Sequence, residues 1–391
     1  MPYALTEMKR ARLIFLLLVA SALAVTFAIT SNSKPGNISA QVLSTPVVVS
    51  GFSHADEPRP FSFPADFGPH PDFQVEWWYY TGNLETAEGR DFGYQLTIFR
   101  RALLPPDQVL VRSSDWATNQ IYMGHFALTD VQDESFYAFE RFERGAAGLA
   151  GAENRPYHVW LENWDIKQMG EKSFTLSASN EGINLELLLS DQKGPVLQGV
   201  AGYSQKGPQP GNASYYYSQT KLLTKGKLQI DEEIFAVNGF SWKDHEYSTS
   251  ALSTDQVGWD WFSIQLADGY ELMLYQIRRT DGSIDPFSSG TLIAPDGSTQ
   301  TLGATDFVIV SKDTWRSPHS GALYPMGWVL QIPAADLELE LEPLLRDQEL
   351  NLSFIYWEGA VQISGAHNGR TIKGAGYVEM TGYADPIGGQ F

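Results

Sequence analysis

The stretch Gln74-Val75-Glu76-Trp77-Trp78-Tyr79-Tyr80-Thr81-Gly82-Asn83-Leu84 returns, altered, as Gln256-Val257-Gly258-Trp259-Asp260-Trp261-Phe262-Ser263-Ile264-Gln265-Leu266. Gln, Val, the first Trp and the final Leu are common to both, at an offset of 182 residues. Each copy is followed by Gly-Tyr-x-Leu, at Gly93 and Gly269, and then by an arginine pair, Arg100-Arg101 and Arg278-Arg279. The ends of the two halves also echo, NGFSWKDHEY from Asn238 and GAGYVEMTGY from Gly374. Four matches in one order indicate a duplicated unit, with the change from the first to the second near residues 240–252.

The repeated unit reads as β. Pro333-Ala334-Ala335-Asp336 leads into Leu337, Leu339 and Leu341 alternating with Glu338, Glu340 and Glu342, the period-two pattern of a half-buried strand with an acidic outer face. Tyr94–Phe99 is a similar short strand. Asp268-Gly269, Asp281-Gly282, Asp296-Gly297 and Asn368-Gly369 supply tight hairpin turns, because both turn positions tolerate positive φ. Many short antiparallel strands joined this way predict a sandwich or barrel.

Composition excludes several function classes. The 391-residue chain carries a formal net charge of -19, so a nucleic-acid backbone or an anionic membrane surface is a poor partner. It has no cysteine, which removes disulfides, thiolate metal sites and cysteine nucleophiles. It is 13% aromatic and 19% charged, with ample apolar material for a core.

At the N-terminus Lys9, Arg10 and Arg12 precede the apolar run Leu13–Thr30, and Ala22-Leu23-Ala24 offers a small-x-small cleavage site. Residues 1–30 are therefore expected to be a signal peptide, or an uncleaved anchor at the lower edge of a membrane span. Either form sends the body out of the cytosol, to the periplasm or beyond. Residues 31–65 read as a lead-in, and the body divides into 66–245 and 246–391.

Strand parity places Glu76, Trp78 and Tyr80 on one face and Trp77, Tyr79 and Thr81 on the other. One face packs as core, and the other covers a second layer or lines a pocket. The plain alternative is that a large barrel simply needs big side chains. Glu76 is the candidate anchor, since a buried carboxyl that holds its proton acts as a general acid. In Trp242-Lys243-Asp244-His245-Glu246-Tyr247, Asp244 and Glu246 point one way, and Lys243, His245 and Tyr247 the other. This cluster offers a base and an orienting carboxylate, or else a salt-linked strand. His125 lies on the face of Met123 and Ala127, and Asp260 on the face of Phe262 and Ile264. The candidate catalytic residues are thus Glu76, His125, Asp244, His245 and Asp260. The candidate ligand-binding residues are Trp77, Trp78, Tyr80, Trp242, Tyr247, Trp259 and Trp261. Asp244 aligns with Glu379 when Gly239 is set on Gly374, which favours an architectural role for it. The seven histidines are scattered, so neither a metal nor another cofactor is assigned. GxSxG, P-loop, GxGxxG and HExxH patterns are absent.

DFQVEWWYYTGNL, GFSWKDHEY, QVGWDWFSIQLADGYELMLYQIR and YWEGAV with GYVEMTGY resemble the secreted AttH-type lipocalin-like family, related to carotenoid 1,2-hydratases, over about residues 66–391. Its members are often labelled predicted secreted hydrolases. The resemblance implies an all-β fold of two lipocalin-like (calycin-like) antiparallel β-barrel domains packed together, with a cavity in or between them. In the hydratase branch it implies acid-assisted addition of water to an isoprenoid double bond. That chemistry needs a protonated carboxyl, aromatic faces for a carbocation and a placed water. Two expectations follow: an exported enzyme that hydrates or hydrolyses a lipophilic small molecule, or a carrier that sequesters one.

Overall fold

The computed structural model describes residues 50–110, 112–250 and 252–387. The expected signal or anchor at 1–30 lies outside the described residues, as does the first part of the 31–65 lead-in. Among the described residues, helix is confined to three single 3₁₀ turns, at Ala65–Phe67, Pro106–Gln108 and Pro333–Ala335. Everything else regular is strand.

The first sheet contains β1 (Val75–Glu85), β2 (Asp91–Ala102), β3 (Gln120–Asp130), β4 (Ser135–Arg144), β5 (Ala150–Asn154), β6 (Tyr157–Leu161), β7 (Trp164–Gly170), β8 (Ser173–Asn180), β9 (Ile183–Asp191), β10 (Val196–Leu197), β11 (Tyr203–Gln205), β12 (Ala213–Ile230) and β13 (Glu233–Ser250). Its order is β4-β3-β2-β1-β13-β12-β9-β8-β7-β6-β5, with β10 and β11 on β12. The second contains β14 (Gln256–Leu266), β15 (Glu271–Arg279), β16 (Ser289–Ile293), β17 (Thr299–Gly303), β18 (Val308–Arg316), β19 (Leu323–Ile332), β20 (Leu337–Pro343), β21 (Glu349–Asn351), β22 (Ile355–His367) and β23 (Arg370–Met380). Its order is β17-β16-β15-β14-β23-β22-β20-β19-β18, with β21 on β22. All pairings are antiparallel.

The quoted repeat occupies equivalent places. β1 lies between β2 and β13, and β14 lies between β15 and β23. Tyr79 faces Asp244 across one pair, and Trp261 faces Glu379 across the other.

Each sheet curls around its own core. Inside the first, Trp78, Tyr80, Leu96 and Ile98 meet Tyr157, Trp164, Leu185 and Tyr217. Inside the second, Phe262, Ile264 and Leu274 meet Trp328, Leu339 and Trp357. The expected alternation holds: Leu337, Leu339 and Leu341 are buried while Glu338 and Glu340 are exposed. At the β22–β23 hairpin both turn residues, Asn368 and Gly369, have positive φ, as a two-residue turn requires. The molecule is thus all-β, two lipocalin-like antiparallel barrels, the second more open than the first.

Between them lies a third layer, made by the outer faces of the central strands. It holds Tyr79, Tyr216, Trp242, Trp261, Met273, Tyr275 and Tyr377. Polar bonds stitch its edge: Asn83 Nδ2 donates to the Gly376 carbonyl at 3.0 Å, and Gln265 Nε2 to the Thr220 carbonyl at 2.7 Å. The described part of the lead-in, together with the residues that follow it up to Gln74, forms no strand but packs as a strap. Its rings Phe61, Phe63 and Phe67 close against Tyr215, Tyr217 and Phe174, because apolar side chains at that spacing cover the end of the first core.

Candidate active site

Adjacent residues of β13 point to opposite faces, so Asp244 and His245 belong to different clusters. On the inner face, His245 is fully buried and its Nε2 lies 2.8 Å from Glu76 Oε1. Its Nδ1 lies 2.9 Å from the Tyr217 hydroxyl, and its ring stacks on Trp78 at 5.1 Å. His70, from the strap, places Nδ1 2.8 Å from the same Glu76 oxygen and Nε2 3.0 Å from Asp66. Arg100 stands opposite Glu76 in the β1–β2 register, and its Nε donates to Oε2 at 2.9 Å. Burial opposes the Glu76 charge, but Arg100, His245 and His70 together outweigh it and hold the carboxyl well below its ordinary range. Burial pushes the His245 imidazole down to about 4, against the pull of Glu76. His70 is moved the other way: burial opposes its charge, and Asp66 with Glu76 overcomes that. Glu76 is therefore an ionised orienting group, and the expectation that it holds a proton is corrected by the arginine across the strand.

On the outer face, Asp244 accepts from Tyr216 Oη at 2.7 Å and Trp242 Nε1 at 2.8 Å, and from the Ser218 hydroxyl. Near it in the second sheet is Glu379 on β23, whose direct cross-strand neighbour on β22 is Glu358. Like charges in that position repel, and in a buried layer they cannot both ionise. Glu358 is fully buried and bonded to the Tyr79 hydroxyl, and its Oε2 has no partner. Glu379 is half-buried and accepts from Trp259 Nε1 at 3.1 Å. Among the described residues none of the three carboxyls has an ion pair, whereas nearby Glu246 has Lys206 at 3.4 Å. Burial pushes Asp244 up to about 7, outweighing its three donors. Burial, with the charges of Asp244 and Glu246, takes Glu379 to about 7. Burial first, then Glu379, drives Glu358 well above the carboxyl range. Aromatic rings wall this group: Trp261 meets Tyr79 edge-on at 5.2 Å and Trp242 at 6.3 Å, and Trp77 and Trp259 pack beside them.

The predicted set is thus divided among several places. Trp77, Trp242, Trp259 and Trp261 join Asp244 in the layer between the sheets. Trp78, Tyr80 and Tyr247 lie on the inner side with Glu76 and His245. Tyr80 Oη is 3.2 Å from Tyr157 Oη, and Tyr247 stacks on His70 at 3.7 Å. Asp260 opens to neither cluster; it is bonded to Arg278 Nε at 3.2 Å and Tyr383 Oη at 3.1 Å, and burial raises it in spite of both. His125 is held by Tyr356 Oη at 2.8 Å and Glu140 Oε1 at 3.2 Å, away from His245. Sequence reasoning missed Glu358, His70 and Arg100 as members of these clusters, and gave Glu379 only an architectural place. The internal alignment of Asp244 to Glu379 was the available signal; the register that sets Glu76 against Arg100 is seen only in the β1–β2 ladder.

Two curled antiparallel sheets with a carboxyl-and-aromatic layer between them define a paired lipocalin-like protein. The chain belongs to the AttH-like family, whose sequence model matches residues 54–383. A crystal structure of a Nitrosomonas europaea chain assigned to AttH is similar at 32% identity and a TM-score of 0.75, covering 85% of this chain and all of the other. The crystal structure of kievitone hydratase from Nectria haematococca shares the fold, with a TM-score of 0.63 at 16% identity, covering 85% of this chain and 96% of the other. No curated protein sequence matches the chain.

Proposed function

We propose that the layer between the sheets is the active site of an exported enzyme that protonates a lipophilic small molecule, by acid-assisted hydration or hydrolysis. The observation that carries this reading is the cross-strand pair of buried Glu358 and half-buried Glu379, set among aromatic rings with no ion pair among the described residues. Such a pair retains a proton near neutrality, where a general acid is most effective. Glu379 is the donor, because it is half-buried and burial with the charges of Asp244 and Glu246 pushes its carboxyl up to about 7. For an alkene, the Glu379 proton forms the new C–H bond. The faces of Trp259, Trp261 and Trp77 then stabilise the carbocation. Water adds to that cation and loses a proton to the Asp244 carboxylate. The shared fold of a hydratase and the basic, apolar N-terminus support the chemistry and the export respectively.

The test incubates the full chain with isoprenoid alkenes in heavy-oxygen water and reads incorporation by mass spectrometry. One heavy oxygen in the product, lost in Glu379→Gln, is the expected result. Tight binding of such compounds with no turnover in the wild type overturns the enzymatic reading and leaves a carrier.

A further inference from the structure

The inner-face cluster has its own chemistry, and it does not rest on the function proposed above. His70 Nδ1, Glu76 Oε1 and His245 Nε2 all lie within 4.8 Å of one another. In each residue the other polar atom is already engaged. His70 Nε2 is on Asp66 at 3.0 Å, His245 Nδ1 is on Tyr217 at 2.9 Å, and Glu76 Oε2 is on Arg100 at 2.9 Å. The remaining donor atom of each side chain faces the other two, both imidazole nitrogens meeting Glu76 Oε1 at 2.8 Å, and outer bonds of this kind fix the tautomer and angle of metal-binding imidazoles. We infer that His70, Glu76 and His245 bind a divalent transition-metal ion of the zinc type through two imidazole nitrogens and one carboxylate oxygen.

Two nitrogens and one oxygen suit zinc and its close neighbours, and three protein ligands leave a position for water. Bond lengths of about 2.0–2.1 Å put tetrahedral ligands roughly 3.3 Å apart. The two contacts to Glu76 Oε1, at 2.8 Å each, need to open by only about half an ångström. The ion takes the place of the hydrogen bonds that now join the two imidazoles to that oxygen, and the Tyr217 hydroxyl accepts the hydrogen bond of His245 Nδ1. Asp66 and Glu76 bring negative charge beside it, shared with Arg59 and Arg100, and Arg100 holds the other Glu76 oxygen. His70 gives the entry path, since its side chain is 16% exposed while Glu76 and His245 are sealed.

The probe is cobalt(II), then zinc(II), added to the metal-depleted full chain. One equivalent of cobalt with a visible absorption band, displaced by zinc, is expected. His70→Ala removes this band with the fold intact by circular dichroism, and Tyr217→Phe weakens affinity by about tenfold or more. If His70→Ala does not fold, the wild-type imidazole resonances decide. Broadening of His70 and His245 together by cobalt supports the site. Absence of uptake, uptake undiminished in folded His70→Ala, or cobalt broadening only of other histidines overturns it.

Discussion

Replacing Glu379 by Gln should stabilise the protein in alkali and leave it unchanged in acid. The ordinary glutamate value is 4.5, and burial with the charges of Asp244 and Glu246 takes Glu379 to about 7. Between those values the unfolded chain has released this proton and the folded chain retains it. The folded state then binds more protons, so stability falls as pH rises through that window and levels off above it. At 1.36 kcal/mol per tenfold change in proton concentration, trimmed for a half-buried group, the loss is about 2–3 kcal/mol. Gln keeps an oxygen to accept from Trp259 Nε1 but carries no charge, and so escapes the loss. Urea denaturation of wild type and Glu379→Gln at about pH 5 and about pH 8 reads this directly. The variant should gain about 2–3 kcal/mol at the higher pH and little at the lower. An equal difference at both values, or a variant less stable in alkali, refutes the idea that this carboxyl is held protonated by burial.

Asp244→Asn removes a neighbouring charge that raises Glu379, so the alkaline limb of kcat/KM should move to lower pH; a profile that stays in place or moves upward contradicts the coupling. Arg100→Met strands the ionised Glu76 in the first core and should cost about 3–5 kcal/mol, read from the urea midpoint. Leu339→Ala should cost about 2–5 kcal/mol, while Glu340→Ala on the exposed side of β20 changes stability by about 0.5 kcal/mol or less, a contrast that calorimetry checks. N-terminal sequencing of protein from the envelope fraction should begin near Val25, and recovery of the intact chain in the cytosol contradicts export.

Strand parity was legible from the sequence, and with it the separation of Asp244 from His245 and of Trp77 from Trp78. The repeat was legible because the two central strands keep the same neighbours. Pairing register was not. Glu76 looked like a proton-holding acid because nothing in its own segment shows Arg100 across the ladder. Glu358 sits in a quoted motif, YWEGAV, but its meaning depends on facing Glu379, and that is set by the length of the β22–β23 hairpin. His70 lies outside any periodic segment, in a strap that covers the core end, so its approach to Glu76 and His245 leaves no pattern in the sequence.

The β1–β13 ladder also bears on how the chain reaches this state. Val75 pairs with Ser248, 173 residues further on, so the wall of the first barrel closes only after almost the whole of that sheet has been made. Bringing such distant segments together costs loop entropy before any ladder bond repays it, and folding dominated by such pairings is slow. Hairpins such as β1–β2 and β22–β23 form locally and early, leaving β1 with one open edge in the meantime. A chain synthesised from its N-terminus therefore spends most of its synthesis unable to complete either the inner cluster or the layer beside it. That interval is when the unpaired aromatic edge of β1 is most prone to pair with another copy.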